Sequence, residues 1–240
     1  MICRLYIEQA LQLGSPVTLP PDQGHYLRQV MRLQAGDQVI LFNGQGGEYS
    51  GHIEQLTKTD SQCIVDAFSE ISRELSYELY IVQAACRSEK IESVLQKGTE
   101  LGAAGFHIVQ SERSSLQLTG NRLDKRLNRW RKIIIEAAEQ CGRTHIPKLT
   151  WNDSLLSLSS SGLSVVLHPH EARDWNKLKP ELITASNITL AIGPEGGWSS
   201  RDLECLKEKN FQPMSFGSRI LRTETAAPAL LAAIQAIRND

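Results

Sequence analysis

Apolar positions along the chain follow two regimes. Over residues 1–70 they come in short runs between turn signals. Residues 3–7, 38–42, 49–56 and 61–68 read as strands, and Asn43-Gly44-Gln45-Gly46-Gly47 is a hairpin signal between the second and third of them. Pro20-Pro21-Asp22 opens a helix to about residue 31, with Tyr26, Leu27, Val30 and Met31 as its expected apolar side. One helix among several short antiparallel strands indicates a small β-barrel. The chain turns polar over residues 70–77, which divides it into a β-rich segment 1–70 and a second segment 74–240.

From there the period changes. Residues 79–85 form a buried-type strand, and 90–101 an amphipathic helix stopped by Gly102. Residues 106–109 and 165–167 are further strands, the second running into His168-Pro169-His170. The serine cluster 157–161 reads as a loop. The longest helix covers 121–141, where Leu123, Leu127, Trp130, Ile134, Ala137 and Cys141 recur every three or four residues. Strands alternating with helices of this length predict a parallel sheet and an α/β fold.

The most demanding stretch is 190–228. A short strand, Leu190-Ala191-Ile192, runs into Gly193-Pro194-Glu195-Gly196-Gly197. Three glycines and a proline within five residues continue neither a helix nor a central strand, and they suit a turn where the backbone passes close to something. Ser199 or Ser200 caps the next helix, with Asp202 in its first turn, out to about residue 210. A strand over 213–216 then meets Gly217-Ser218-Arg219-Ile220-Leu221-Arg222, followed by Thr223-Glu224-Thr225 and a long apolar helix to Arg238, with Pro228 expected near its first turn. Ligands of open α/β sheets bind beyond the carboxyl ends of the strands, where two such loops gather. The same residues also suit plain tight β-to-α turns, and Arg222 with Glu224 reads either as site chemistry or as an ion pair holding the loop.

Charge adds two candidate surfaces. The formal net charge of −1 argues against coating nucleic acid by bulk attraction, and segment 1–70 is acidic. Within it, however, Arg28 and Arg32 stand four apart on one expected helix face, near Arg4 in sequence. Arg122, Lys125, Arg126, Arg129, Arg131 and Lys132 crowd the first half of the longest helix around one acid, Asp124. Both sets suit phosphate contacts or a solvated face. Five scattered cysteines with no CxxC pair indicate neither a disulfide framework nor a zinc site, and with no signal-peptide layout or membrane-length apolar run the expectation is a cytoplasmic protein. No nucleotide P-loop, no GxGxxG after the first α/β strand, no GxSxG and no HExxH is present, and His168 and His170 lack companions for a metal.

Taken together the residues resemble the RsmE family, the 16S ribosomal RNA uridine-N3 methyltransferases of the SPOUT class. The resemblance rests on HYLRQVMR at 25–32, QKGTELG at 96–102, Glu112-Arg113, EQCGR at 139–143, Leu167-His168-Pro169, IGPEGG at 192–197 and GSRILRTET at 217–225, in family order over nearly the whole chain. One departure is Ala226-Ala227-Pro228, where a proline enters the helix start. The resemblance implies an N-terminal PUA-like RNA-binding barrel and a C-terminal SPOUT domain with a deep trefoil knot. It also implies a homodimer and S-adenosylmethionine as methyl donor, with 16S rRNA or the small ribosomal subunit as partner. On that footing Leu167, His168, Pro169, Ile192, Gly193, Pro194, Glu195, Gly196, Gly197, Phe216, Gly217, Ile220, Leu221 and Thr225 hold the cofactor. Arg222, Arg219 and Glu224 do the chemistry, while Arg4, Arg28, Arg32, Arg122, Lys125, Arg126 and Arg129 meet RNA. Two other readings stay open: a SPOUT methyltransferase acting on a ribose 2′-oxygen or a tRNA base, and a non-catalytic RNA-binding assembly factor.

Overall fold

The computed structural model describes residues 2–159, 161–169 and 173–239, so Ser160 of the serine loop and His170 lie outside the described residues. The chain divides into two compact units: Met1–Glu74 with Ala138–Ile146, and Leu75–Ala137 with Pro147–Asp240.

The first unit is a five-stranded sheet ordered β1-β3-β4-β5-β2, from β1 (Cys3–Tyr6), β2 (Pro16–Thr18), β3 (Gln38–Phe42), β4 (Glu48–Leu56) and β5 (Ser61–Ser69). β1 and β3 run parallel and the other pairs antiparallel. Alternate residues point inward, so Leu5, Val39, Leu41, Ile53, Cys63 and Val65 fill one core. The short edge strand β2, with one inward residue, Val17, was invisible in the sequence pattern. Helix α1 (Pro21–Gln29) lies so close to β5 that a Cβ on Gly24 would fall 2.3 Å from Ser61 Oγ. It contributes Leu27 to the core, whereas Tyr26 and Val30 are exposed. The helix stops before residue 31, and Arg32 has a left-handed backbone (φ 55°). Arg28 and Arg32 therefore do not share a helix face.

The last turn of α3 (Gly120–Cys141) and the residues after it belong to this first unit. Glu139 accepts a hydrogen bond from the Tyr6 amide (2.8 Å), and Gln45 bridges to His145. Arg4 pairs with Glu48 and donates to the carbonyls of Gly142 (3.2 Å) and Arg143 (3.1 Å). Arg73 reaches the same Glu48 at 3.1 Å. Burial works against ionising Glu48, but the two guanidinium groups hold its carboxyl below the ordinary glutamate value.

The second unit is a seven-stranded parallel sheet. Its strands are β6 (Glu78–Ala84), β7 (Gly105–Val109), β8 (Lys148–Asn152), β9 (Leu163–Leu167), β10 (Arg173–Asp174), β11 (Asn187–Ile192) and β12 (Gln212–Ser215), ordered β10-β12-β9-β11-β6-β7-β8. The central strands are nearly continuous apolar runs because helices cover both faces. On one face Val82, Ala84, Val166 and Ala191 pack with Leu206 of α5 (Ser200–Glu208) and with Trp198. On the other, α6 (Thr223–Arg238) packs against α2 (Ser88–Glu100) and α4 (Trp175–Thr184). Strands β8 and β10 and helix α4 were not anticipated. β8 is half-exposed and β10 has two residues, so neither carries an apolar run. Pro228 is the sixth residue of α6, beyond its first turn.

Candidate functional site

Strands β12, β9 and β11 are neighbours and parallel, so their carboxyl ends meet at one edge of the sheet. The loops that leave them bound a cavity of about 750 Å³, within the size range of small-molecule sites. Leu167, His168 and Pro169 come from the end of β9, Ile192 and residues 193–197 from that of β11, and Phe216 to Arg222 from the loop after β12.

Each loop is fixed by its own chemistry. The His168 amide donates to the Met214 carbonyl (2.9 Å), continuing the β9–β12 ladder into the loop. In the β11 loop the Gly197 amide donates to the Pro194 carbonyl (2.9 Å), and Gly197 has φ +67°, open to glycine at little cost. A Cβ on Gly193 would press on the Trp198 indole at 3.3 Å, so a larger residue there would push the loop off its neighbour. Arg113 clamps the turn from outside by donating to the carbonyls of Gly196 (3.0 Å) and Trp198 (3.4 Å). Ser199 and Asp202 form a reciprocal capping box that starts α5 directly behind it. The Thr223 hydroxyl donates to the Gly193 carbonyl (2.7 Å) and accepts from Gln83 Nε2 (2.9 Å), tying the start of α6 to the same turn. Phe216, at the root of the third loop, meets Trp175 edge-on with ring centroids 5.1 Å apart. Ile220 at the loop's far side is 80% exposed.

Charge is concentrated at one wall. Lys90, in the first turn of α2, lies 3.4 Å from Glu224 Oε2 and 3.6 Å from Glu195 Oε1. Burial opposes ionisation of Glu195. The amides of Glu195 itself and of Arg87, together with Lys90, still hold its carboxyl below the ordinary value. Beside them burial, and next the Glu195 charge, pushes the Cys86 thiol up to about 12 and keeps it neutral.

The structure thus brings Arg219, Arg222 and all but one of the expected cofactor residues to one cavity. Thr225 is the exception: it is exposed one turn into α6, and Thr223 and Ala226 line the wall in its place. The carboxylate of Glu224 is paired with Lys90, so the ion pair between Arg222 and Glu224 gives way to a lysine-centred cluster. Lys90 carries no local sequence signal, since it is one lysine on an ordinary amphipathic helix. Arg113 belongs to the Glu112-Arg113 pair, but only the fold shows what it clamps.

The basic residues divide three ways. Arg4 is a correction: its side chain is 11% exposed, it lies over the Phe42 ring at 5.2 Å, and it is committed to Glu48 and two carbonyls. A guanidinium so engaged is not available to a phosphate. Arg28 donates to the Thr57 carbonyl while Arg32 is exposed. On α3, Arg126 (3.3 Å) and Arg129 (2.9 Å) both reach Glu92 of α2, and Arg122 and Lys125 are exposed.

Comparison with known proteins agrees with this geometry. Residues 73–235 match the model of an RNA methyltransferase domain, and residues 19–66 that of an RNA methyltransferase PUA domain. The chain is 30% identical to the ribosomal RNA small subunit methyltransferase E of Bacillus subtilis, over 96% of this chain and 95% of that one. It is 33% identical to the Synechocystis protein of the same name, over 99% of this chain and 78% of the other. Among solved structures, a Legionella pneumophila putative methyltransferase with bound cofactor SAM superposes with a TM-score of 0.92 at 33% identity, covering 98% of each chain. The Neisseria gonorrhoeae ribosomal RNA small subunit methyltransferase E bound to S-adenosyl methionine gives 0.89 at 28% identity, covering 99% of this chain and 98% of that one.

Proposed function

From the premise that this chain belongs to the ribosomal RNA small subunit methyltransferase E family, we propose that it methylates N3 of one uridine in 16S rRNA with S-adenosylmethionine as donor. The observation that carries this reading is the cavity at the ends of β9, β11 and β12, lined by Arg219, Arg222, Lys90 and Glu195, with Glu224 paired to Lys90 beside it. Its lining suits the donor. Leu167, Ile192 and Leu221 offer apolar walls, while Gly197 and Gly217 present backbone groups with open space where a side chain would stand. The donor, when bound there, supplies an electrophilic methyl group on a sulfonium.

The acceptor needs the protein's help. Uracil N3 carries a hydrogen at neutral pH and is a good nucleophile only once that proton leaves. The charge left behind spreads over the two flanking carbonyl oxygens. Arg222, with Arg219 on the same loop, stabilises that charge, since a guanidinium stays protonated at any working pH. Glu224 receives the proton, directly or through one water. The α3 cations Arg122, Lys125, Arg126 and Arg129, together with Arg28 and Arg32, hold the RNA backbone. On the family resemblance, the protein works as a homodimer in the cytoplasm.

The test uses 16S rRNA from cells lacking the protein, as free RNA and as small subunits. Each is incubated with protein and S-adenosylmethionine and read by primer extension and nucleoside mass spectrometry. A single stop with 3-methyluridine is the expected result. A methylated ribose would instead place the protein with another methyltransferase specificity, and RNA binding with no methyl transferred would favour an assembly factor.

A further inference from the structure

Lys90, Glu195 and Glu224 come from three elements far apart in the sequence and meet beside the cavity: Lys90 and Glu195 line it, and Glu224 is paired with Lys90 next to that lining. Lys90 opens α2, Glu195 sits in the turn after β11, and Glu224 is in the first turn of α6. Their side chains are 21%, 30% and 22% exposed. One ammonium serves two carboxylates, so the cluster is one negative charge in excess. The neutral Cys86 thiol after β6 lies beside the cluster, and Arg113 after β7 with Arg219 and Arg222 on the loop after β12 line the same cavity. Glu195 has other support, because the Arg87 amide donates to it at 3.4 Å. Glu224 Oε2 is buried and accepts no hydrogen bond among the described residues, and the ammonium of Lys90 is the cation at ion-pair distance from it. The cluster is therefore asymmetric. Glu195 is anchored by backbone, whereas Glu224 is held by Lys90, which faces its buried Oε2 and leaves Oε1 as the oxygen to take a proton.

We propose that Lys90 is a positioning residue: it keeps Glu195 and Glu224 ionised together and holds the Glu224 carboxylate in place to receive the N3 proton of the acceptor uracil. The inference rests on the uracil-N3 reading above. In the step it serves, the N3–H bond breaks, its electron pair stays on the uracil, and the proton passes to a Glu224 carboxylate oxygen. Two carboxylates sharing a partly buried site without a cation do not both ionise, and one retains a proton. With its backbone donors Glu195 keeps the charge, so Glu224 would carry that proton and lose its capacity to take another.

The experiment compares wild type, Lys90→Met, Lys90→Arg and Lys90→Met/Glu195→Gln in two ways. One is the pH dependence of kcat on 16S rRNA. The other is carboxyl carbon titration by NMR in protein without donor, labelled at the glutamate side-chain carboxyl. Lys90→Met should move the acid limb of kcat up by one pH unit or more, roughly a tenfold loss of turnover at the original limb. A glutamate carboxyl should titrate upward with it. Removing Glu195 in the same background should bring both back, and Lys90→Arg should leave the limb in place. A loss of equal size at every pH, with the carboxyl titration unmoved, would show that Lys90 only braces the fold. Should Lys90→Met fail to fold, Glu195→Gln alone decides, since relieving the repulsion must lower the acid limb and an unmoved limb refutes the inference. Wild-type protein that binds S-adenosylmethionine but makes no 3-methyluridine would sink the uracil-N3 reading itself. Active wild type with an unmoved profile sinks only the role of Lys90.

Discussion

The protein contains two ion clusters built with opposite stoichiometry. In the first unit two guanidinium groups, Arg4 and Arg73, share the single carboxylate of Glu48. In the second, the single ammonium of Lys90 is shared by Glu195 and Glu224. The first is closed. Arg4 and Glu48 are 11% and 10% exposed, and Arg4 also caps two carbonyls. The second puts Lys90 and Glu195 on the lining of a cavity, and its buried Glu224 Oε2 accepts no hydrogen bond among the described residues. Formal charge gives them opposite signs but does not say which one has a reaction to serve. What separates them is position, since the second stands beside a space where something else fits. A cluster enclosed among its own carbonyls holds a fold together, and one beside a cavity has chemistry to offer.

Four measurements press on that contrast. Arg222→Ala should have the largest effect, lowering kcat by roughly 10²–10³-fold as expected for loss of a transition-state charge stabiliser. Calorimetry should show S-adenosylmethionine affinity within a few-fold of wild type, and a collapse of that affinity would instead make Arg222 a donor-site residue. Arg4→Met should destabilise the protein by about 3 kcal/mol in urea, because it strips a partner from a buried carboxylate. The salt dependence of RNA binding should not change, and a shallower slope would restore Arg4 as a phosphate contact. Acid should weaken the first cluster. Glu48 is held below the ordinary glutamate value of 4.5, so its contribution is complete above that pH and drains away as pH falls through the lower folded value. Stability followed downward from pH 6 should decline there, and Glu48→Gln should flatten that part of the curve. The smallest effects belong to α3. Arg122→Ala or Lys125→Ala should each reduce the slope of log affinity against log salt by about one. Arg129→Ala should do less, because Glu92 already engages its guanidinium.

The sequence shows the cavity better than it shows the charges around it. The turn 193–197 and the loop after β12 are legible because glycine and proline restrict the backbone locally, and local restriction is what a sequence displays. Central strands are legible for a similar reason, since burial on both faces leaves an unbroken apolar run. Strand β8, half-exposed at a sheet edge, has no such run and was missed. Partnerships between charged residues are set by the fold. Arg4 looks like a phosphate ligand until Glu48, 44 positions away, is found beside it. Lys90 looks unremarkable until two distant carboxylates converge on it. Arg28 and Arg32 have helical spacing, but α1 ends at Gln29 and the spacing loses its meaning.

The stretch at the end of α3 has a practical consequence. The carbonyls that receive Arg4 belong to Gly142 and Arg143, and the carboxylate that receives the Tyr6 amide belongs to Glu139. The first unit is therefore not a contiguous cassette. A fragment ending at Glu74 would carry the whole five-stranded sheet and still lack these acceptors. Grafting that sheet onto another protein would transplant a lock without its bolt, and a self-sufficient version has to bring residues 138–146 with it.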